Sequence, residues 1–497
     1  MTESQASYRQ IFKATSLFGG VQIVGILVGI VRSKIVAVLL GPLGIGLSGL
    51  LTSTTNIIAG FTNFGLGTSA VKDISAANSS NNEIRISTTL LIMRRLVWIT
   101  GTLGALLTLV FSTLLSKLTF GNTEYKFAFI WISVTLLFNQ ISTGQGVLLR
   151  GTRHIGYLAK STIIGNILGL ITTIPLYYFF GMKGIVPGII IASLTSLLMS
   201  WYFARKIQVV HVEVSWKNTF SQGKEMLKMG FIISISGIIS LATSYLVKIY
   251  ISNKGGVDQV GLYTAGFSIV NTYVGMIFTA MGTDYYPRLS GIAHDFIKTN
   301  RTINHQAEIA LLIISPILMI FLVYINWVII LFYSTKFIGV NGMILWAAFG
   351  MLFKAASWPI GFILLAKGNS RLFFWSELLS NAILLSLNIL GYKYFKLEGL
   401  GVSFLITYII ALFQVYLIAR VKYSFKLDGE FYKIFILQVF LTLGCFLIVK
   451  FVPSPYKYML GTVIILASLF HSFYELNSRI DLKSIAVKVR AKLRQGN

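Results

Sequence analysis

The sequence has little charge for its length. Of 497 residues only 12% are Asp, Glu, Lys or Arg, against roughly 25% in an ordinary soluble domain. Cysteine is almost absent as well, because Cys445 stands alone, and this excludes an intramolecular disulfide and a multi-cysteine metal site. Neither a GxxxxGKS/T nor an HExxH motif occurs, and the five histidines lack metal-ligand spacing. The sequence therefore predicts no ATP-driven pump, no metal site and no cofactor.

Hydrophobic sequence takes the place of charge. Apolar residues make up 55% of the chain, and runs of about twenty of them, enough to cross the hydrocarbon core of a bilayer, recur from Leu17 to His471. We predict an all-α polytopic membrane protein with about fourteen transmembrane helices. The predicted windows are 14–38, 45–71, 88–114, 127–149, 157–180, 184–204, 229–251, 259–286, 304–333, 340–366, 372–392, 399–419, 432–452 and 456–474.

The basic residues predict an orientation. Lys and Arg outnumber Asp and Glu by 42 to 16, but they fall between apolar runs and form no contiguous basic surface, which argues against nucleic acid. Positively charged loops are retained in the cytoplasm. With both termini cytoplasmic, the inner side receives 29 of the 42 basic residues and the outer side receives nine lysines and no arginine. This asymmetry supports the even number of spans.

An internal repeat divides the chain. A shift of 215 positions aligns 45–75 with 260–290 and pairs eight identical residues among 31. The pairs are Gly46/Gly261, Leu47/Leu262, Ser53/Ser268, Asn56/Asn271, Gly60/Gly275, Gly67/Gly282, Thr68/Thr283 and Ser75/Ser290. Six predicted helices separate the copies, so both cross the membrane in the same direction, with a pseudo-twofold axis along the bilayer normal.

The repeat predicts two pseudo-symmetric six-helix lobes plus two C-terminal helices. The predicted divisions are a lobe at 1–206, a cytoplasmic linker at 207–228, a lobe at 229–420, helices 13 and 14 at 421–476 and a basic cytoplasmic tail at 477–497. Parallel repeats commonly bind substrate at their interface and alternate access by rocking, so helices 1, 2, 7 and 8 are the expected cavity walls.

Small and polar residues in these spans allow two interpretations. The pairs Gly25/Gly29 and Gly165/Gly169 are predicted to let helices approach closely. Asn56 and Asn271 occupy matching places in the two copies, where they either hydrogen-bond between helices or contact substrate.

Four basic residues fall inside predicted spans. Arg32 and Lys34 lie in the outer half of span 1, Lys248 is about as deep in span 7, and Lys354 is near the middle of span 10. A charge at that depth costs about 2.5–3.5 kcal/mol on insertion scales. We therefore predict that these side chains bind an anionic substrate, a phosphorylated headgroup above all, because arginine can fork onto phosphate oxygens. The alternative is snorkelling to the outer headgroups.

Acidic residues at depth suggest ion coupling, since a partly desolvated carboxylate can exchange protons. Asp284, Glu308 and Glu377 qualify by position. Asp284 lies one helical turn before Arg288, so an ion pair within the helix is the favoured interpretation there. Glu377 is the stronger candidate, and Asp284 the weaker.

The segments GPLGIGL at 41–47 and GLGTSAVKDIS at 65–75 resemble the N-terminal region of bacterial Wzx-type O-antigen flippases. These proteins form the polysaccharide-transporter branch of the multidrug/oligosaccharidyl-lipid/polysaccharide superfamily. The resemblance covers the whole chain in layout and is specific mainly in residues 10–75. It implies two six-helix bundles in the inner membrane that move an undecaprenyl-pyrophosphate-linked oligosaccharide from the cytoplasmic to the periplasmic leaflet. It also implies cavity-facing cations, carried over to Arg32 and Lys248.

Other functions stay open at this point. A lipid II flippase would share the helix count and a cationic cavity, and a multidrug-extrusion antiporter would share the lobes, although buried cations disfavour an organic-cation substrate. A membrane glycan polymerase or ligase would need a sizeable outer loop, which the sequence lacks, so a transporter and not an enzyme is predicted. The expected partners are the lipid-linked oligosaccharide, membrane lipids, and a glycan polymerase and chain-length regulator.

Overall fold

The computed structural model describes residues 3–79 and 82–480, with side chains in 24–78, 82–272, 274–282 and 284–479. Most of the predicted basic tail therefore lies outside the described residues. Two compact units are present. The first contains the chain up to Thr264 together with Phe332–Phe337, and the second contains Ala265–Leu331 and the chain from Ile338 onward. The lobe boundaries predicted from the repeat stay a prediction.

The described chain is mostly helical and contains no strand. Its α-helices are α1 Glu3–Thr62, α2 Leu66–Ser79, α3 Glu83–Val110, α4 Ser112–Phe120, α5 Lys126–Gly151, α6 Ile155–Phe180, α7 Ile185–Ala204, α8 Trp216–Gly255, α9 Val257–Phe267, α10 Met276–Gly291, α11 Phe296–Val323, α12 Ile325–Phe332, α13 Asn341–Ala366, α14 Ser370–Tyr423, α15 Gly429–Phe451 and α16 Tyr456–Ile480. Short 3-10 turns at Gly181–Gly184 and Thr335–Val340 and a π-helical turn at Ser268–Val274 join some of them.

The helix count confirms the predicted membrane architecture. Eleven helices in the described chain are long and apolar enough to cross a bilayer. Three of these segments, 24–62, 155–204 and 370–423, are 39, 50 and 54 residues long, whereas one crossing takes about 20 residues. Each of the three is broken near its middle, at Gly41, at Gly181–Gly184 and at Lys396, and can therefore supply two of the fourteen predicted crossings. Trp216–Gly255, of 40 residues, has no such break.

The bends have local causes. In α1 the bend falls on Gly41, which has a positive φ of 66° and is followed by Pro42. Glycine tolerates this left-handed conformation, and proline cannot donate the backbone hydrogen bond that would continue the preceding helix. The turn between α6 and α7 also holds a positive-φ glycine, Gly181. In α14 the bend falls on Lys396, whose φ of 52° is unusual for a residue with a side chain.

Polar caps mark the starts of several helices. The side chain of Asn82 accepts a hydrogen bond from the amide of Arg85 before α3, and Ser215 starts α8 in the same way. Asp295 caps α11 by accepting from the amide of Lys298. Hydrogen bonds from that amide and from the Lys298 ammonium hold the pKa of the Asp295 carboxyl below its usual value.

The two copies of the repeat touch at Gly46 and Gly261, both in the first unit. A Cβ on Gly46 would lie 2.9 Å from the amide nitrogen of Gly261, and a Cβ on Gly261 would lie 3.0 Å from the amide nitrogen of Gly46. The same two atoms would also overlap the carbonyl oxygens of Val257 and Pro42, which are themselves 215 positions apart. The contact is thus reciprocal, and only glycine permits it.

Each unit has its own apolar core. Leu66, Ile74, Met93, Leu96 and Leu148 are buried together in the first unit, and Tyr285, Ile303, Ile360, Leu364 and Phe425 in the second. Outward helix faces are apolar too, and Phe179 and Phe470 are each 75% exposed. Apolar surface of that extent is unfavourable in water but suits hydrocarbon, so the protein is an integral membrane protein.

Candidate functional site

A polar cavity of about 320 Å³ lies in the first unit between α1, α5, α6 and α7. Both halves of the bent α1 contribute to it. Its polar lining includes Arg32, Thr52, Asn56, Asn139, Asn166 and Ser193. No acidic residue lines it among the side chains that the structure describes. The cavity is therefore positively charged and rich in hydrogen-bonding groups, although apolar spans surround it.

Arg32 provides the charge of this cavity. One of its terminal nitrogens is 3.4 Å from the hydroxyl oxygen of Tyr177, a long hydrogen bond. A guanidinium carries five N–H donors, so most of them are available to a ligand. Lys34 is two residues further along, about 200° around the helix, and it does not line the cavity. The two residues predicted as a pair therefore lie on different faces of α1.

Three asparagines add carboxamide groups to the cavity. Within the described chain, the side chains of Asn56, Asn139 and Asn166 make no hydrogen bond, although all three line the cavity. Asn56 was predicted as a candidate, whereas Asn139 and Asn166 were missed. Their signal in the sequence is a carboxamide within an otherwise apolar window, which should have a partner or a ligand. Each can donate and accept, as sugar hydroxyls require.

The two predicted glycine pairs differ in what surrounds them. Added Cβ atoms on Gly165 and Gly169 would be 3.6 Å from Ser196 and 3.8 Å from Ala192 on α7, so these glycines lie at a helix contact. At Gly29 no atom lies within 4 Å of the Cβ position. A Cβ on Gly25 would lie 3.8 Å from the side-chain nitrogen of Asn166. All four glycines line the cavity, and of the four only Gly29 has open space at its Cβ position.

Lys248 lies on α8, also in the first unit. Its ammonium donates to the hydroxyl of Ser53 on α1 at 2.7 Å. Next to Ser53, the hydroxyls of Thr54, Thr119 and Tyr245 form a small network, with 2.8 Å between those of Thr119 and Tyr245. No carboxylate of the described residues pairs with Lys248. The structure therefore connects this cation to the second half of α1, next to Thr52 of the cavity wall.

Lys354 lies in the second unit, on α13. It donates to the side-chain oxygen of Asn271 at 3.1 Å. Its ammonium is also 5.1 to 6.0 Å from the ring centres of Phe278, Phe404 and Tyr408, within the range of cation–π attraction. Asn271 belongs to the π-helical turn, a distortion that is frequent at functional sites. The sequence predicted the lysine and the asparagine separately but not their contact.

The acidic candidates are found in three different settings. Asp284 is 83% exposed and pairs with Arg288 at 3.9 Å, the intrahelical pair that was favoured. Glu377 is half-buried on α14 and has no ion pair or side-chain hydrogen bond within the described chain. Glu308 is 4% exposed, and its carboxylate lies 3.0 Å from Arg479. A role of Asp284 or Glu377 in ion coupling stays a prediction.

Arg479 forms ion pairs with three carboxylates in the second unit. Besides Glu308 on α11, it pairs with Glu475 on α16 and, at 3.9 Å, with Glu430 on α15. The sequence assigned Arg479 to the basic tail, but the structure shows it in the last turn of α16. Its guanidinium ties the two C-terminal helices to α11.

Two solved structures show which class of protein has this fold. The lipid II flippase MurJ, in an inward closed conformation, matches with a TM-score of 0.71 at 13% identity, over 94% of this chain and 99% of that one. A multidrug resistance MATE family transporter of the MOP superfamily matches in its inward-facing conformation with a TM-score of 0.67 at 15% identity, over 82% of this chain and 96% of that one. The protein thus has the fold of polytopic membrane transporters.

Sequence comparison gives the family. Residues 11–293 match the family described as polysaccharide biosynthesis protein, and the chain belongs to it. A putative O-antigen transporter of Shigella flexneri is 26% identical over 308 residues, 60% of this chain and 71% of that protein. A lipid III flippase of Escherichia coli K12 is 22% identical over 364 residues, 70% of this chain and 83% of that protein. The predicted relationship to polysaccharide flippases is confirmed.

Proposed function

We propose that the protein moves an undecaprenyl-pyrophosphate-linked oligosaccharide, an O-antigen or similar surface glycan unit, from the cytoplasmic to the periplasmic leaflet. The observation that carries the proposal is the cavity of the first unit. It is lined by Arg32 and by three asparagines whose side chains lack hydrogen-bond partners, and by no acidic side chain among the described residues. That combination suits a phosphate beside sugar hydroxyls. An organic cation would be repelled there, because no carboxylate among the described residues compensates the charge of Arg32.

The physical task is to pass a glycan across hydrocarbon. Each unpaired hydroxyl costs about 2–7 kcal/mol to bury, so the oligosaccharide must travel in a polar cavity while the polyprenyl tail stays in lipid. Arg32 forks onto pyrophosphate oxygens, and Asn56, Asn139 and Asn166 exchange hydrogen bonds with the sugar. Lys248 and Lys354 supply further positive charge, since neither has a carboxylate partner among the described residues. Alternating access then relocates the headgroup without breaking a bond.

The relatives support this substrate class. The Shigella protein is named a putative O-antigen transporter and the Escherichia coli protein a lipid III flippase. A lipid II flippase is the alternative, because its carrier also ends in pyrophosphate.

The arrangement in the membrane belongs to the same proposal. Both termini face the cytoplasm of the bacterial inner membrane, two six-helix lobes rock against each other, and a glycan polymerase and a chain-length regulator receive the product. Single cysteines introduced at Lys183 and Lys206 in a Cys445→Ala background test the orientation. A membrane-impermeant maleimide should label position 183 and not position 206 in intact spheroplasts, and the opposite pattern would reverse the orientation.

The decisive experiment deletes the gene in its own host and analyses the lipids. Accumulation of a pyrophosphate-linked oligosaccharide in the cytoplasmic leaflet, with loss of surface glycan, is the expected result. Wild-type protein and the exposed-site control Lys160→Gln should restore the glycan, whereas Arg32→Gln should not, at equal protein levels. Unchanged surface glycan after deletion would contradict the proposal. Rescue of cells depleted of their lipid II flippase would assign the alternative substrate.

A further inference from the structure

A second, apolar groove opens on the first unit between α3, α5 and α7. It measures about 610 Å³ and shares no lining residue with the polar cavity. Val97, Ile141 and Leu148 contribute to its apolar wall, and it is also lined by Trp98 and Trp201, which are 55% and 49% exposed. An apolar surface that borders indole rings is typical of the region where lipid chains meet headgroups.

Arg94 lies where this groove meets a polar cavity. It lines the groove and also a cavity of about 490 Å³ between α3 and the non-helical segment that precedes α8. The adjacent Arg95 has partners in the protein, because one of its terminal nitrogens donates to the carbonyl of Val214 at 2.8 Å and to the hydroxyl of Thr219 at 2.7 Å, and its guanidinium stacks on Trp216. The side chain of Arg94 makes no hydrogen bond or ion pair with any described residue. Its guanidinium is therefore available to a ligand.

Two further groups around the groove lack polar partners. The guanidinium of Arg205 stacks on Trp201 at 4.8 Å, and the Arg205 side chain makes no hydrogen bond within the described chain. The side-chain oxygen of Gln145 is buried without a hydrogen-bond partner, which is unfavourable unless a ligand satisfies it. No acidic residue lines the groove in the described part of the chain.

We propose that this groove is a binding site for an anionic phospholipid with a hydroxylated headgroup, such as phosphatidylglycerol. Its phosphate pairs with Arg94 and Arg205, one acyl chain lies against Val97 and Leu148, and a headgroup hydroxyl donates to Gln145. Basic pockets between transmembrane helices recognise such headgroups on the cytoplasmic side. A zwitterionic lipid fits less well, because its ammonium would lie beside the arginines. The phospholipid thereby fastens α3 to α7 within the first unit.

The test uses full-length protein in detergent and a phosphatidylglycerol that carries a photoreactive acyl chain. Peptides that contain residues 93–98, 137–148 and 197–205 should be labelled. In native mass spectrometry, Arg94→Gln and Arg205→Gln should each weaken phosphatidylglycerol binding about fivefold, equivalent to about 1 kcal/mol per basic residue. Arg85→Gln, an exposed arginine on the same helix outside the groove, should leave binding unchanged.

Four outcomes would overturn the proposal. The first is equal labelling of wild type and of an Arg94→Gln, Arg205→Gln double variant that keeps the wild-type melting temperature. The second is displacement of the lipid by soluble glycerol 1-phosphate, which would make this a site for free phosphate. The third is preferential displacement by undecaprenyl phosphate, which would make the groove an entry site for the carrier. Binding of phosphatidylcholine with equal strength would also contradict it, since charge would then play no part.

Discussion

Replacing Arg479 by leucine should destabilise the second unit by about 3 kcal/mol. The change leaves the carboxylate of Glu308, which is 4% exposed, without its partner at 3.0 Å. Removal of one member of a buried ion pair typically costs about 3–5 kcal/mol. The lower end applies because Arg479 is itself 22% exposed, so water can partly replace the guanidinium. Release of Glu475 and Glu430 from Arg479 adds to the effect, because three carboxylates then lie together.

The measurement is the free energy of unfolding in mixed micelles of SDS and a mild detergent, followed by tryptophan fluorescence. Glu308→Leu combined with Arg479→Leu should recover most of the loss, because an apolar pair replaces a buried ionic one with little cost. Lys298→Leu, which breaks an exposed pair with Asp295, should produce no measurable change. A wild-type free energy of unfolding for Arg479→Leu, or a double variant as unstable as the single one, would refute the reasoning.

Three other substitutions follow from the contacts described above. Gly46→Ala should abolish the accumulation of folded protein, because the new Cβ would overlap the carbonyl oxygen of Val257. The control Gly361→Ala, whose Cβ meets open space in α13, should be tolerated, and size-exclusion profiles of the two variants test the difference. Lys354→Met should keep the yield and melting temperature and lose glycan transport, and full transport would remove this lysine from the site. Glu377→Gln should make transport in vesicles independent of an imposed proton gradient, and a retained dependence would exclude this carboxylate as the coupling group.

Much of the fold could be predicted because membrane helices depend on a one-dimensional property, the length of an apolar run. The bend at Gly41 was visible as a Gly-Pro pair between two runs. The bend at Lys396 was not, because no local rule places a lysine at positive φ. Hydropathy windows also overlooked the first three turns of α8, whose polar residues lie before the predicted span.

The candidate site was predicted residue by residue but not as an arrangement. Burial of charge singled out Arg32, Lys248 and Lys354 in the sequence. Their partners come from distant helices, as with Lys354 and Asn271, 83 positions apart, and such pairs depend on packing that no local pattern encodes. The different orientations of Arg32 and Lys34 could have been deduced from helical periodicity alone. The substrate-binding role of all four cations stays a prediction.

The glycine contact between Gly46 and Gly261 bears on the history of the chain. If a gene for one half was duplicated, its product would have paired as a dimer in which this glycine faced its own copy. One substitution would then have introduced two clashing methyl groups at once. After a fusion the two positions would mutate independently, yet a Cβ at either one alone would still block the approach of the two backbones. Neither glycine can therefore be replaced by a larger residue, however far the sequences of the two halves diverge elsewhere.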